Sequence, residues 1–256
     1  MNKSVVVVGL GEMGSVFARG FLRLGYSVHP VILGVEMQTV ADTLDETNDI
    51  PELVLLAVAE GDLHEQLAKL PDTWKDRLVL LQNELLPRDW LQYDLDPTVI
   101  SVWFEKKKGQ DSKVIIPSPV YGKHAQLVAD ALAAIDISAT VLPDAEALLH
   151  ELVLKNVYIL TTNIAGLEVG GNVGQLWDEH NAVANAVASE VIRLQEALSG
   201  QTLNHQALID GMVNAFNGDR EHMCMGRSAP VRLQRALTLA AEHDLSLSML
   251  ERIAQR

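Results

Sequence analysis

The sequence predicts an α/β domain followed by an all-helical one. Three observations carry that expectation. Short β-branched runs alternate with helix-length segments as far as Val141, a glycine-rich turn stands between the first such run and the first helical stretch, and helical periodicity dominates from there on. Proline follows the same division: seven of the nine lie at or before Pro119, and only Pro143 and Pro230 come later.

Taken in order, the candidate strands are Ser4 to Val8, Ser27 to Ile32, Leu53 to Ala57, Leu78 to Leu81, Val99 to Phe104 and Lys113 to Ile116. Alternation with helices implies a parallel sheet covered on both faces. The last two runs, joined by Lys-Lys-Lys-Gly-Gln-Asp-Ser, read as a hairpin with a solvated basic tip and an antiparallel far edge. The first strand runs into Gly9-Leu10-Gly11-Glu12-Met13-Gly14, a G-x-G-x-x-G turn. Ala18, Phe21 and Leu22 then recur at helical spacing, and Gly25 ends that helix. Strand, turn and helix together give the turn its meaning. Gly9 permits a tight turn, Gly11 lets the backbone approach a diphosphate, and Gly14 lets the helix pack on the strand, with free amides at the helix start to receive phosphate. A Rossmann-like dinucleotide-binding domain is expected over residues 1–142. Leu10, Glu12 and Met13 line the same turn, and the Glu12 carboxylate has to point away from a phosphate it would otherwise repel. The second strand ends in Ile32-Leu33, with His29 and Glu36 nearby, so neither the acid that reads an NAD ribose nor the arginine that reads an NADP phosphate is specified.

A helical domain for substrate or dimerisation is expected over residues 143–256. Asp144 is placed to cap its first helix. Val183, Val187, Val191 and Leu194 form one buried stripe, and Ala229 to His243 and Ser246 to Arg256 read as two more helices.

Composition narrows the function. Against 34 acidic side chains stand 20 basic ones, a net charge of −14, which excludes nucleic acid and anionic membrane surfaces as partners. A single cysteine, Cys224, excludes an internal disulfide and implies a reducing, cytoplasmic setting; amid Met223 and Met225 it reads as a buried small residue. Apolar runs such as Leu53 to Ala59 are too short to span a bilayer, and the residues before the glycine turn do not form a secretory leader. The histidines lack metal-ligand spacing, so no metal site is expected.

Two stretches carry a family resemblance. Gly9 to Ala18 resembles the opening of the 6-phosphogluconate and 3-hydroxyacid dehydrogenase group. Lys155-Asn156-Val157-Tyr158-Ile159-Leu160-Thr161-Thr162-Asn163, the following Gly171-Asn172-Val173-Gly174-Gln175-Leu176-Trp177, and Gln82-Asn83 resemble ketopantoate reductase (2-dehydropantoate 2-reductase). The resemblance covers most of the chain and implies NADP or NAD as cofactor, with Lys155, Asn163 and Asn83 as catalytic and orienting residues. Five positions depart from its pattern. Ile159 replaces a middle asparagine, Glu84 a glycine after Gln82-Asn83, Ala59 a lysine, and Pro230 the glutamate of a substrate motif in which Arg232 replaces an aspartate.

In chemical terms, Lys155 lies in an apolar stretch where an ammonium can protonate and stabilise a developing alkoxide. From pattern alone it also reads as a lysine with a buried stem and solvated head. Arg232 is a candidate bidentate anchor for a substrate carboxylate, or else part of a solvated helix face with Arg227 and Arg235. The leading expectation is an NAD(P)-dependent oxidoreductase reducing a small 2-oxo acid or related carbonyl, with a small-molecule substrate and a homodimer left open. The alternative is a nucleotide-binding sensor or interaction protein that kept the fold and lost the chemistry, and behind it a dimeric scaffold that binds no nucleotide.

Overall fold

One serine and four valines, all buried, form β1 (Ser4–Val8) at the heart of a seven-stranded sheet. The computed structural model describes residues 3–255; the expectations touching Met1, Asn2 and Arg256 lie outside them. By compactness the chain divides into one unit up to Glu151 and another from Leu152 onward. The division falls inside α6 (Ala145–Val169), whose first turn is capped by the Asp144 carboxylate accepting the Ala147 N–H at 2.8 Å.

The first unit contains β2 (Ser27–Val31), β3 (Val54–Leu56), β4 (Leu78–Leu80), β5 (Thr98–Ile100), β8 (Ser118–Tyr121) and β9 (Ala139–Val141), in the order β2-β1-β3-β4-β5-β8-β9. The strands from β2 to β5 are parallel, and β8 runs antiparallel to β5. Burial on both faces explains the unbroken apolar text of β1, β3 and β4. Pro30 is tolerated because β2 is an edge, where a missing N–H costs the ladder nothing. Helices α1 (Glu12–Arg23), α2 (Met37–Glu46), α3 (Leu63–Ala68), α4 (Arg88–Leu91) and α5 (Ala125–Ala133) complete the unit. On α1 the buried face is Gly14, Phe17, Ala18 and Phe21, whereas Leu22 points to solvent, against expectation. A Cβ on Gly20 would stand 2.3 Å from the Ala131 carbonyl oxygen, so α1 and α5 touch backbone to backbone. Gly25, at φ 81°, closes α1 with its N–H on Leu22 and that of Tyr26 on Phe21.

The expected hairpin from Val99 to Ile116 is different in the structure. Its first run divides into β5 and a short β6 (Phe104–Glu105), which pairs with β7 (Lys113–Val114) in a separate two-stranded ribbon. The strand that actually pairs with β5 is β8, and it holds Pro119, which has no N–H to give. Its carbonyl instead accepts from Ser101 at 2.9 Å, and the Ser118 hydroxyl accepts the Trp103 N–H at 2.9 Å.

The second unit is helical: the rest of α6, then α7 (Val173–Glu179), α8 (Asn181–Ser199), α9 (His205–Gly218), α10 (Ala229–Glu242) and α11 (Ser248–Ala254). Val187, Val191 and Leu194 are buried as the stripe requires, with Val183 partly covered. Asn156 on α6 donates to Gln195 on α8 at 2.9 Å, a buried amide pair satisfied within the core. Glu190 on α8 is buried and accepts the N–H groups of Met249 and Leu250 at 2.9 to 3.0 Å, closing the start of α11.

Candidate functional site

The glycine turn has the local geometry that a diphosphate requires. Gly9 sits at φ 88°, with its N–H on Val31 at 2.9 Å, and a Cβ there would come within 2.7 Å of the Ala57 oxygen. A Cβ on Gly14 would stand 1.9 Å from the Gly9 oxygen. Both positions are therefore closed to any side chain by the protein itself. Gly11 differs: a Cβ there meets nothing within 4 Å, at a φ any residue adopts. It caps α1 without a side-chain hydrogen bond, which leaves the first-turn amides facing outward at the carboxyl end of β1. The bare backbone at Gly11 is a cradle that a side chain would fill, and this is the observation by which the residues present fit a dinucleotide. Leu10 and Glu12 are exposed beside it and Met13 is partly covered.

Glu12 does turn aside. Its carboxylate lies 3.7 Å from the ammonium of Lys106, which follows β6. That ammonium also donates to the carbonyls of Lys107, at 3.0 Å, and Gln110. The basic tip expected to be uniformly solvated is thus uneven, with the Lys106 side chain only 19% exposed and Lys107 paired with Glu105. At the end of β2, Ile32, Leu33 and Val35 are exposed. His29 is paired with Asp49 at 3.0 Å, and Glu36 opens α2 as an exposed residue.

Further along the carboxyl edge of the sheet, Gln82 is buried and donates to the carbonyls of Leu56, at 2.6 Å, and Val58, joining β3 to the segment after β4. Asn83 donates to the Glu60 carboxylate at 2.8 Å. Sequence reasoning passed over Glu60. Its signal is positional, a carboxylate four residues past the end of a parallel strand. Glu84 sits at φ 60°, a left-handed conformation that costs a side-chain-bearing residue about 1 kcal/mol and glycine nothing.

In the helical unit, Lys155 and Asn163 are both buried on α6. Eight residues of helix separate them by about 12 Å along the axis. The Lys155 ammonium lies 5.6 Å from the centre of the Tyr158 ring. Asn163 is met by Arg232 of α10, whose guanidinium donates to its side-chain oxygen at 3.2 Å, and the Asn163 amide reaches the Cys224 carbonyl at 3.4 Å. Arg232 is therefore half-buried and engaged, rather than one of a solvated row. Between Lys155 and Asn163 comes Ile159, also buried. Burial alone pushes the Cys224 thiol up to about 11, so it is no thiolate nucleophile at neutral pH. Among the described residues no cluster of potential metal ligands is found, and no helix is long and apolar enough to cross a membrane.

A cavity of about 590 Å³ opens at the opposite, amino-terminal edge of the sheet. The two carboxylates in its lining are already engaged: Asp49 accepts from Ser4 and pairs with His29, while Glu52 accepts from Tyr26.

No protein-family model matches the chain, and no curated protein does. Solved structures do match, over nearly the whole length. The 2-dehydropantoate 2-reductase from Methylococcus capsulatus is 13% identical, with a TM-score of 0.68 and coverage of 98% of this chain and 94% of that one. The enzyme of the same description from Porphyromonas gingivalis W83 is 15% identical at TM-score 0.67, covering 100% and 99%. A dimeric ketopantoate reductase from Staphylococcus aureus is 14% identical at TM-score 0.65, covering 98% and 96%. The chain has the ketopantoate reductase fold. In that fold's terms, a Rossmann-like domain precedes a helical one. Glu84 now has a physical reading: the position where the resemblance implies glycine keeps the left-handed backbone that glycine favours.

Proposed function

We propose that the chain binds a nicotinamide dinucleotide and reduces a small 2-oxo acid or related carbonyl compound. The carrying observation is the open backbone at Gly11 between two glycines that the fold itself closes. A bound reduced nicotinamide supplies the hydride. Lys155 donates the proton to the carbonyl oxygen and stabilises the charge that grows there. Asn163 and Asn83 orient the polar groups of the reactants, and Arg232, aligned by Asn163, holds the substrate carboxylate through its planar fork. The exposed Ile32-Leu33 at the end of β2 favours neither cofactor; NADP is taken from the resemblance, with NAD as the alternative. A homodimer, residues 1–142 and 143–256 as the functional domains, and a cytoplasmic site complete the proposal; the assembly draws on the dimeric Staphylococcus aureus structure.

Two observations favour a second reading, a nucleotide sensor that has lost turnover. Ile159 fills with hydrocarbon the position where the resemblance implies a polar amide, and Pro230 stands where it implies the glutamate. Titration calorimetry with NADPH and NADH, followed by a panel of 2-oxo acids, separates the two. The reductase reading expects binding by the wild type and turnover that Lys155→Ala abolishes while keeping the binding heat. Binding with no turnover on a broad panel selects the sensor, and no binding of either cofactor removes both.

A further inference from the structure

We propose that Lys106 is a binding residue for the diphosphate of the dinucleotide, held beside the glycine turn by the packing of its ribbon on α1 and paired there with Glu12; this rests on the dinucleotide reading above. The problem it solves is electrostatic. Glu12 is the first residue of α1, beside the amides that are to receive two phosphates, in a molecule already carrying a net charge of −14. An acidic side chain there suits the helix dipole but competes with any anionic ligand for the same amides. Lys106 cancels the local charge: with its ammonium 3.7 Å from the Glu12 carboxylate, the pair is neutral, and the helix amides again dominate.

The placement does not depend on the ion pair, which alone is too weak to hold a loop. Phe104, two residues earlier in β6, is buried in the core of the first unit, its ring 6.1 Å from that of Phe17 on α1. Val114, opposite Phe104 in the ribbon, packs against the same core. The ribbon is therefore fixed to α1 by apolar packing. Carbonyls of Lys107 and Gln110 hold the ammonium further. Lys107, by contrast, pairs with Glu105 and keeps a side chain 66% exposed. The run of three lysines thus divides into one residue committed to the glycine turn and others that serve as internal controls.

The test is the affinity for NADPH, with inorganic pyrophosphate as a probe that lacks the nicotinamide, measured by calorimetry on wild type, Lys106→Met, Lys107→Met, Glu12→Gln and the double variant Lys106→Met/Glu12→Gln. Expected are a loss of about tenfold or more for Lys106→Met toward both ligands, a change of less than about twofold for Lys107→Met, a gain for Glu12→Gln, and a double variant between the two single ones. The gap between wild type and Lys106→Met narrows at high salt. Thermal melting confirms that each variant folds, as the Phe104 anchor requires. Wild-type binding with Lys106→Met no weaker than Lys107→Met overturns this assignment and leaves the dinucleotide reading intact. Absence of binding by the wild type overturns both.

Discussion

At the residue scale, the three glycines of the turn make different demands. Gly14→Ala drives a methyl group to 1.9 Å from a backbone oxygen, so it is expected to cost about 3 kcal/mol or more in urea unfolding. Gly11→Ala meets no atom and leaves stability within about 1 kcal/mol of wild type, yet it weakens NADPH binding in calorimetry. Equal losses of stability in the two variants would contradict this division. His124 carries another residue-scale expectation. Its Nε2 is buried with no hydrogen-bond partner, and burial, then the Lys123 charge, holds its pKa below the ordinary 6.5. The unfolded chain takes up the proton first as pH falls. The folded state is therefore favoured above pH 6.5 and loses that advantage as pH drops through the lowered value. Unfolding free energies measured across this range should fall more steeply for wild type than for His124→Gln. Single residues were also where the sequence was least legible. Lys106 and Glu60 gain their meaning from neighbours 94 and 23 positions away in the chain, Glu12 and Asn83 respectively, and no local pattern encodes such pairs.

At the scale of elements, legibility followed the strength of local physics. β1, the glycine turn and α1 were readable because a buried parallel strand, a special backbone and a Schellman ending each leave their own residues behind. The Asp144 cap of α6 and the stripe of α8 were readable for similar reasons. β8 was not, because Pro119 argues against an interior strand and the compensation comes from Ser101, a tertiary partner. Glu190 shows what one element does for another. It receives two backbone N–H groups and the Ser248 hydroxyl at the start of α11, whose N-cap residue, Leu247, has no side chain to accept them. Glu190→Ala leaves those donors unpaired and is expected to cost about 2 kcal/mol. Hydrogen exchange at Met249 and Leu250 should rise above that of the rest of the helical unit; unchanged exchange there would show that α11 is held by packing alone.

For the whole molecule, a shared fold at 13–15% identity means that the architecture tolerates replacement of nearly every side chain. What persists under such drift is what the chain needs for itself. Gly9 and Gly14 interlock the first strand, the neighbouring Ala57 and the first helix as parts of the folding machinery, whatever the molecule carries. A descendant that had abandoned its cargo would still be obliged to retain both. Gly11 alone is under no such obligation, so across relatives of this chain it is the position whose loss would record a change of trade.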